Sequence, residues 1–178
     1  HHRVARTAGP TNPPAVDASV PTHMGHHANC VPGQMLAAED GCELRWRPLT
    51  ADGQLALTTL PQLLNGAKAF AFTAMSNVLG TVTPLKQIIE TAHARGIPVL
   101  VDGAQGAVHL DVDVRALDVD FYVVTGHKLY GPTGIGALYA KKKWLQSLPP
   151  FNGGGEMIET VTMDTVTYND PPHRFEAG

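Results

Sequence analysis

Between Ala69 and Ala140, short and almost continuously apolar runs alternate with helical and turn signals. The runs Ala69–Thr73, Ile97–Val101, Asp120–Val124 and Ile135–Ala140 carry too few polar residues for a strand that shows one face to water. Such strands are buried on both sides, which is the habit of parallel sheets whose crossover helices cover both faces. The segment between the first two runs supplies such a crossover. Thr83 is placed to cap, Pro84 stands at the first helical position, and Gly96 ends the helix over Pro84–Arg95. Leu85, Ile88, Ile89 and Ala92 recur at i, i+3, i+4 and i+7, which gives that helix one apolar face. The expected fold class is α/β, a mostly parallel sheet with helices on both faces.

The rest of the chain gives weaker signals. Residues 1–25 hold Pro10, Pro13, Pro14 and Pro21 without a usable period, so an irregular segment is expected there. A helix over Pro32–Ala38 closing near Gly41, a strand over Glu43–Arg47 and a helix over Leu60–Leu64 behind Thr59 follow. Asp113 can cap a turn over Val114–Leu117, and a short helix is expected over Lys142–Leu148. No repeat or linker interrupts residues 28–148. The chain has 178 residues, 43% of them apolar and 16% charged, which suits one core or part of a larger domain and excludes disorder. A net charge of −3 gives no footprint for nucleic acid or a membrane surface. No apolar run reaches the roughly 18 residues that a membrane span needs. Two cysteines suit a reducing compartment, so a cytoplasmic location is expected. The start at His1-His2-Arg3-Val4 has neither initiator Met nor signal-peptide pattern, and the chain reads as part of something longer.

In parallel sheets ligands gather beyond the carboxyl ends of the strands. Three consecutive ends carry polar groups here. Asn77 follows the first strand, Asp102 and Gln105 the second, and Thr125, His127 and Lys128 the third. A lysine in a glycine turn is ordinarily a surface residue, and Asp102-Gly103 is by itself a turn signal. Together, a lysine and a carboxylate at neighbouring strand ends suit a pyridoxal phosphate site. The lysine can bond covalently to the cofactor aldehyde, and the acid can hold the pyridine nitrogen protonated. Thr125 and His127 can donate to a phosphate, and Gln105 and Asn77 to a ring oxygen, although each suits a plain loop equally well. His26 and His27 lack a third ligand at metal-binding spacing, so no metal is expected. No G-x-G-x-x-G opens a helix after the first strand, which argues against a nucleotide-binding doubly wound domain.

The runs Val99-Leu100-Val101-Asp102-Gly103-Ala104-Gln105, Asp120-Phe121-Tyr122, Thr125-Gly126-His127-Lys128-Leu129-Tyr130-Gly131-Pro132-Thr133-Gly134, Gly153-Gly154-Gly155-Glu156-Met157-Ile158 and Arg174-Phe175-Glu176-Ala177-Gly178 resemble class V aminotransferase-fold enzymes. Within that class they are similar to cysteine desulfurases that double as selenocysteine lyases. His26-His27-Ala28-Asn29 and Ser76-Asn77-Val78-Leu79-Gly80-Thr81 fit the same family. The resemblance covers residues 26–178 and implies the central part of a PLP-binding large domain of fold type I. It implies that Lys128 carries pyridoxal 5'-phosphate and shuttles the substrate α-proton, and that Asp102 pairs with the pyridinium nitrogen. It further implies that Gln105 and Asn77 lie near the phenolic oxygen, and that Thr125 and His127 hold the phosphate. His26 would stack on the ring and share in proton transfer. The implied assembly is a homodimer whose large domain has a mixed seven-stranded sheet. The implied reaction takes L-cysteine to L-alanine and hands persulfide sulfur to an acceptor protein, for iron–sulfur cluster assembly.

This chain departs from the family at Gly25, where a Glu is usual, and at Thr125, where Ser is usual. Cys30 and Cys42 do not match the family's sulfur-receiving cysteine. That cysteine, the N-terminal phosphate loop and the arginine that clamps the substrate carboxylate have no match in this sequence. The expectation is a piece of a cysteine desulfurase that is inactive by itself. A selenocysteine lyase, an epimerase of the same class and an inert fragment are the rivals.

Overall fold

The computed structural model describes residues 18–20 and 22–178; the expectation of irregular structure over residues 1–17 lies outside the described residues. Two compact units divide at Tyr139/Ala140. The first is built on strands β1 (Ala18–Val20), β2 (Glu43–Leu44), β3 (Ala67–Thr73), β4 (Val99–Asp102), β5 (Phe121–Thr125) and β6 (Gly136–Ala140). Their order is β2-β1-β3-β4-β5-β6, and the pairings β1–β2, β1–β3, β3–β4 and β4–β5 are all parallel. Helices α1 (His27–Asp40), α2 (Leu60–Leu63), α3 (Leu85–His93) and the single turn α4 (Gly106–His109) fill the crossovers. The α/β class and the mostly parallel sheet follow the expectation from the apolar runs.

Register explains how this sheet holds two layers apart. Phe70 pairs with Val99, and Phe72 with Val101, which pairs in turn with Tyr122. These side chains form one core with Leu85, Ile88, Ile89 and Ala92 of α3. The alternate positions Thr73, Asp102 and Val123 face the other way, because successive strand residues point to opposite faces. Small Ala69 and Ala71 stand on that second face, where the large Phe70 and Phe72 would not fit beneath a close layer.

Four expectations need correction. Residues 18–20 are not irregular: β1 lies inside the sheet, held between β2 and β3. Pro32 does not open α1 but sits within it, and the helix starts five residues earlier with His26 as its cap. The Thr83 hydroxyl does not cap α3; it donates to the Thr73 carbonyl at 2.7 Å, and Pro84 takes the cap position. The strand over Glu43–Arg47 is shorter, Glu43–Leu44, and Arg47 returns only as an isolated bridge to Thr22. Asp113 caps its turn as expected, with Oδ1 accepting from Arg115 N and Ala116 N.

Gly103 shows why the turn after β4 needs its glycine. A Cβ there would lie 2.1 Å from the Tyr122 ring, whose residue is only 3% exposed and has no room to retreat. Gly103→Ala is expected to destabilise the fold by about 3 kcal/mol, at the upper end of overpacking effects. Chemical denaturation of the variant checks this. A double variant with Tyr122→Ala should recover part of the loss, and an unchanged midpoint in the single variant would refute the steric reading.

The second unit, Ala140–Gly178, holds α5 (Lys142–Ser147) and an antiparallel hairpin of β7 (Ile158–Val161) and β8 (Val166–Tyr168). Threonines stitch the hairpin: the Thr160 and Thr167 hydroxyls lie 2.6 Å apart, and Thr162 N donates to Thr165 O at 2.8 Å. Among the described residues no helix is long and apolar enough to cross a membrane.

Candidate active site

The carboxyl ends of β3, β4 and β5 open into one cavity of about 310 Å³. His26, Asn77, Asp102, Gln105, Thr125, His127 and Lys128 all line it, so the structure brings together every site residue expected from the sequence. A larger depression of about 610 Å³ lies near Pro61, Ala67 and Ile97, where β3 and β4 begin. It is the wrong end of a parallel sheet for a ligand and collects none of the convergent polar groups.

Each strand end is fixed by its own hydrogen bonds. The Thr73 hydroxyl donates to Met75 O at 3.0 Å and reaches Asp102 O at 3.4 Å, while Ala74 N donates to Asp102 O at 2.9 Å. These bonds clasp β3 to β4 just where the carboxylate emerges. Asp102 Oδ1 accepts from Ala104 N at 3.0 Å, and no described lysine, arginine or histidine pairs with the carboxylate. The Ser76 hydroxyl oxygen accepts from Val78 N and Leu79 N, which turns the chain at Asn77. After β5 a single 3-10 turn, Gly126–Lys128, carries the lysine to the cavity. The Thr125 hydroxyl and His127 Nδ1 lie 3.0 Å apart at its foot. Lys128 Nζ makes no ion pair or hydrogen bond with a described residue, so its amine is available to a ligand.

The fourth wall comes from α1. His26 Nδ1 accepts from Ala28 N at 3.1 Å and so caps the helix whose first turn overlooks Asp102. Gly25 has a local reason. A Cβ there would lie 3.0 Å from both Cys30 Sγ and Thr22 O, so the larger residue usual in the family would press on this chain's own cysteine.

Electrostatics around Asp102 reach its neighbours. Burial, with the Asp102 charge second, pushes the Tyr122 hydroxyl up to about 12, so it stays a neutral phenol. Burial and then the same charge also raise the Cys30 thiol, which keeps it protonated and a poor nucleophile.

Two polar lining residues were not assigned a role from sequence. Thr73 acts through the clasp just described. Asn29 is 4% exposed, lines the cavity, and its Nδ2 has no hydrogen-bond partner among the described residues. A buried amide without an acceptor is uncommon, and this one asks for an acceptor in the cavity. The signal was its place in His26-His27-Ala28-Asn29, three residues along a helix from His26 and so on the same face. A free lysine amine, a carboxylate without a cation and an unsatisfied amide donor in one cavity fit a planar group bearing an aldehyde, a basic ring nitrogen and an oxygen acceptor. Pyridoxal phosphate has all three.

Known proteins resemble this chain in sequence and fold. A cysteine desulfurase of Shigella sonnei is 54% identical over 177 residues, covering 98% of this chain and 44% of its own length. The crystal structure of the Escherichia coli cysteine desulfurase CsdA, as its S-sulfonic acid, superposes with a TM-score of 0.88 at 44% identity, covering 91% of this chain and 41% of that one. A C-DES mutant with glycine covalently linked to its PLP cofactor superposes at 0.81 with 29% identity, covering 91% and 44%. The chain thus spans less than half the length of these relatives. The aminotransferase class-V profile matches residues 2–178, so the likeness takes in the N-terminal segment as well, beyond the residue 26 at which the motifs begin. This chain belongs to the aminotransferase class-V family.

Proposed function

We propose that this chain is the cofactor-binding part of a pyridoxal-phosphate-dependent cysteine desulfurase, which takes L-cysteine to L-alanine and passes the sulfur to an acceptor protein. The convergence of Lys128 and Asp102 on one cavity carries the reading. When bound, the cofactor supplies an electron sink for charge that develops at the substrate α-carbon.

The chain's own residues do the rest. Lys128 Nζ would hold the cofactor at its aldehyde, and as the amine that lines the cavity it would move the substrate α-proton. Asp102 would keep the ring nitrogen protonated, helped by having no competing cation among the described residues. Thr125 and His127 donate to the phosphate, while Asn77, Gln105 and the unpartnered Asn29 amide donate to oxygen acceptors of the cofactor or substrate. His26 covers the ring face from the start of α1. Cys30 does not take the sulfur, because its thiol is buried and protonated. The domain assignment is part of the same reading: residues 26–178, together with β1 in the same sheet, belong to the central part of the PLP-binding large domain.

The finer reading includes a cytoplasmic homodimer that serves iron–sulfur cluster assembly. Val78, Leu79 and Tyr130 stand exposed around the cavity-bearing loops, and an apolar rim of this kind suits cover by a second copy. The test is chemical. Adding pyridoxal phosphate to the full-length protein should give a visible absorbance band, and borohydride should fix the cofactor on Lys128. Peptide mapping that found the label on Lys86 or Lys141 instead would overturn the assignment.

A further inference from the structure

A second buried charge lies beyond the ends of β1 and β2, outside the site just described. Arg47 has no exposed surface, and it bridges in parallel register to Thr22, which is equally buried. Register partners on parallel strands share a face, so the guanidinium and the hydroxyl point to the same side. Arg47 Nε donates to Ala56 O at 3.4 Å, a long bond. Among the described residues, neither terminal guanidinium nitrogen nor Thr22 Oγ1 has a hydrogen-bond partner. Burial lowers the guanidinium to about 10, with no carboxylate among the described residues to oppose it, so Arg47 is still a cation at neutral pH. The flanking Met24 and Leu55 are buried and apolar.

A buried cation in such surroundings is strongly unfavourable without a counter-charge. Water could accept the N–H bonds but would leave the charge uncompensated. The groups present are donors, and a hydroxyl can act as one, so the missing partner is an acceptor with negative charge. Complete enclosure limits its size. We propose that Arg47 and Thr22 form a buried site for a compact inorganic monoanion of the halide class.

The site is tied to the cavity through Thr22. Its carbonyl accepts from Gly25 N at 2.9 Å and lies 3.9 Å from Cys30 Sγ, and Gly25 precedes the capping His26. An anion that fixes Thr22 therefore steadies the turn that leads into α1.

Thermal melting of the full-length protein tests this at constant ionic strength, with sodium gluconate replaced stepwise by sodium chloride or bromide. The midpoint should rise saturably by roughly 4 °C in either halide, the shift expected when a ligand binds only the folded state. Arg47→Met should remove the difference between halide and gluconate. Crystals grown in bromide should show an anomalous peak in contact with the Arg47 terminal nitrogens, and this decides the matter if the Met variant does not fold. Equal midpoints in all three salts, or a halide effect that survives Arg47→Met, would overturn the proposal. So would a carboxylate oxygen or a water in place of the bromide peak.

Discussion

Lys128→Ala is expected to leave the full-length protein without a cofactor adduct that borohydride can fix, and to lower turnover of L-cysteine by at least about 10³-fold. The loss is large because one amine does two jobs. In the proposed function it anchors the cofactor covalently, and it is the lysine amine that lines the cavity. Removing a group that both positions and transfers a proton removes contributions that do not add independently. The fold should survive, since Lys128 makes no hydrogen bond or ion pair with a described residue. Stopped-flow spectra and alanine release measure the two effects separately. Turnover within tenfold of the parent would show that another group holds the cofactor.

Asp102→Asn should cut turnover by about 10³-fold while cofactor binding partly survives. The amide keeps the shape of the side chain, and its Oδ1 can still accept from Ala104 N as the carboxylate does. What disappears is the charge that favours a protonated ring nitrogen, and with it the electron-withdrawing power of the ring. The same charge contributes to the elevation of Tyr122 and Cys30, so their titrations should move down in the variant, leaving the part due to burial. That second readout separates an electrostatic role from a structural one. A variant with near-normal turnover would contradict the assignment, whatever happened to Tyr122.

Legibility in the sequence followed the length and regularity of each element. Helix α3 could be read because Leu85, Ile88, Ile89 and Ala92 repeat at helical spacing and all four are buried. Strand β1 could not, because Ala18-Ser19-Val20 is too short to show a period and its place is set by strands on either side. Pro32 misled because proline is most often found in a first helical turn, whereas here a histidine, outside the usual capping set, starts the helix earlier. The hairpin β7–β8 was missed because its turn, Thr162-Met163-Asp164-Thr165, lacks the glycine or asparagine pair that marks most tight hairpins. The site fared better than the fold around it. Most of its residues sit at strand ends, where a simple topological rule applies; His26, the cap of α1, came only through the family resemblance, and Thr73 and Asn29 were not assigned.

The cap on α1 settles a question about proton inventory. Since His26 Nδ1 accepts from the Ala28 N–H, the neutral ring must carry its hydrogen on Nε2. The imidazole therefore offers the cavity a donor, and its one lone pair is already spoken for by the helix. A hydrogen placed on Nδ1 would break the Ala28 bond, so a change of tautomer at this ring and a loosening of the first turn of α1 go together. Any acid step at His26 should thus appear as lost amide protection at Ala28, a link between chemistry and local unfolding that hydrogen exchange can follow directly.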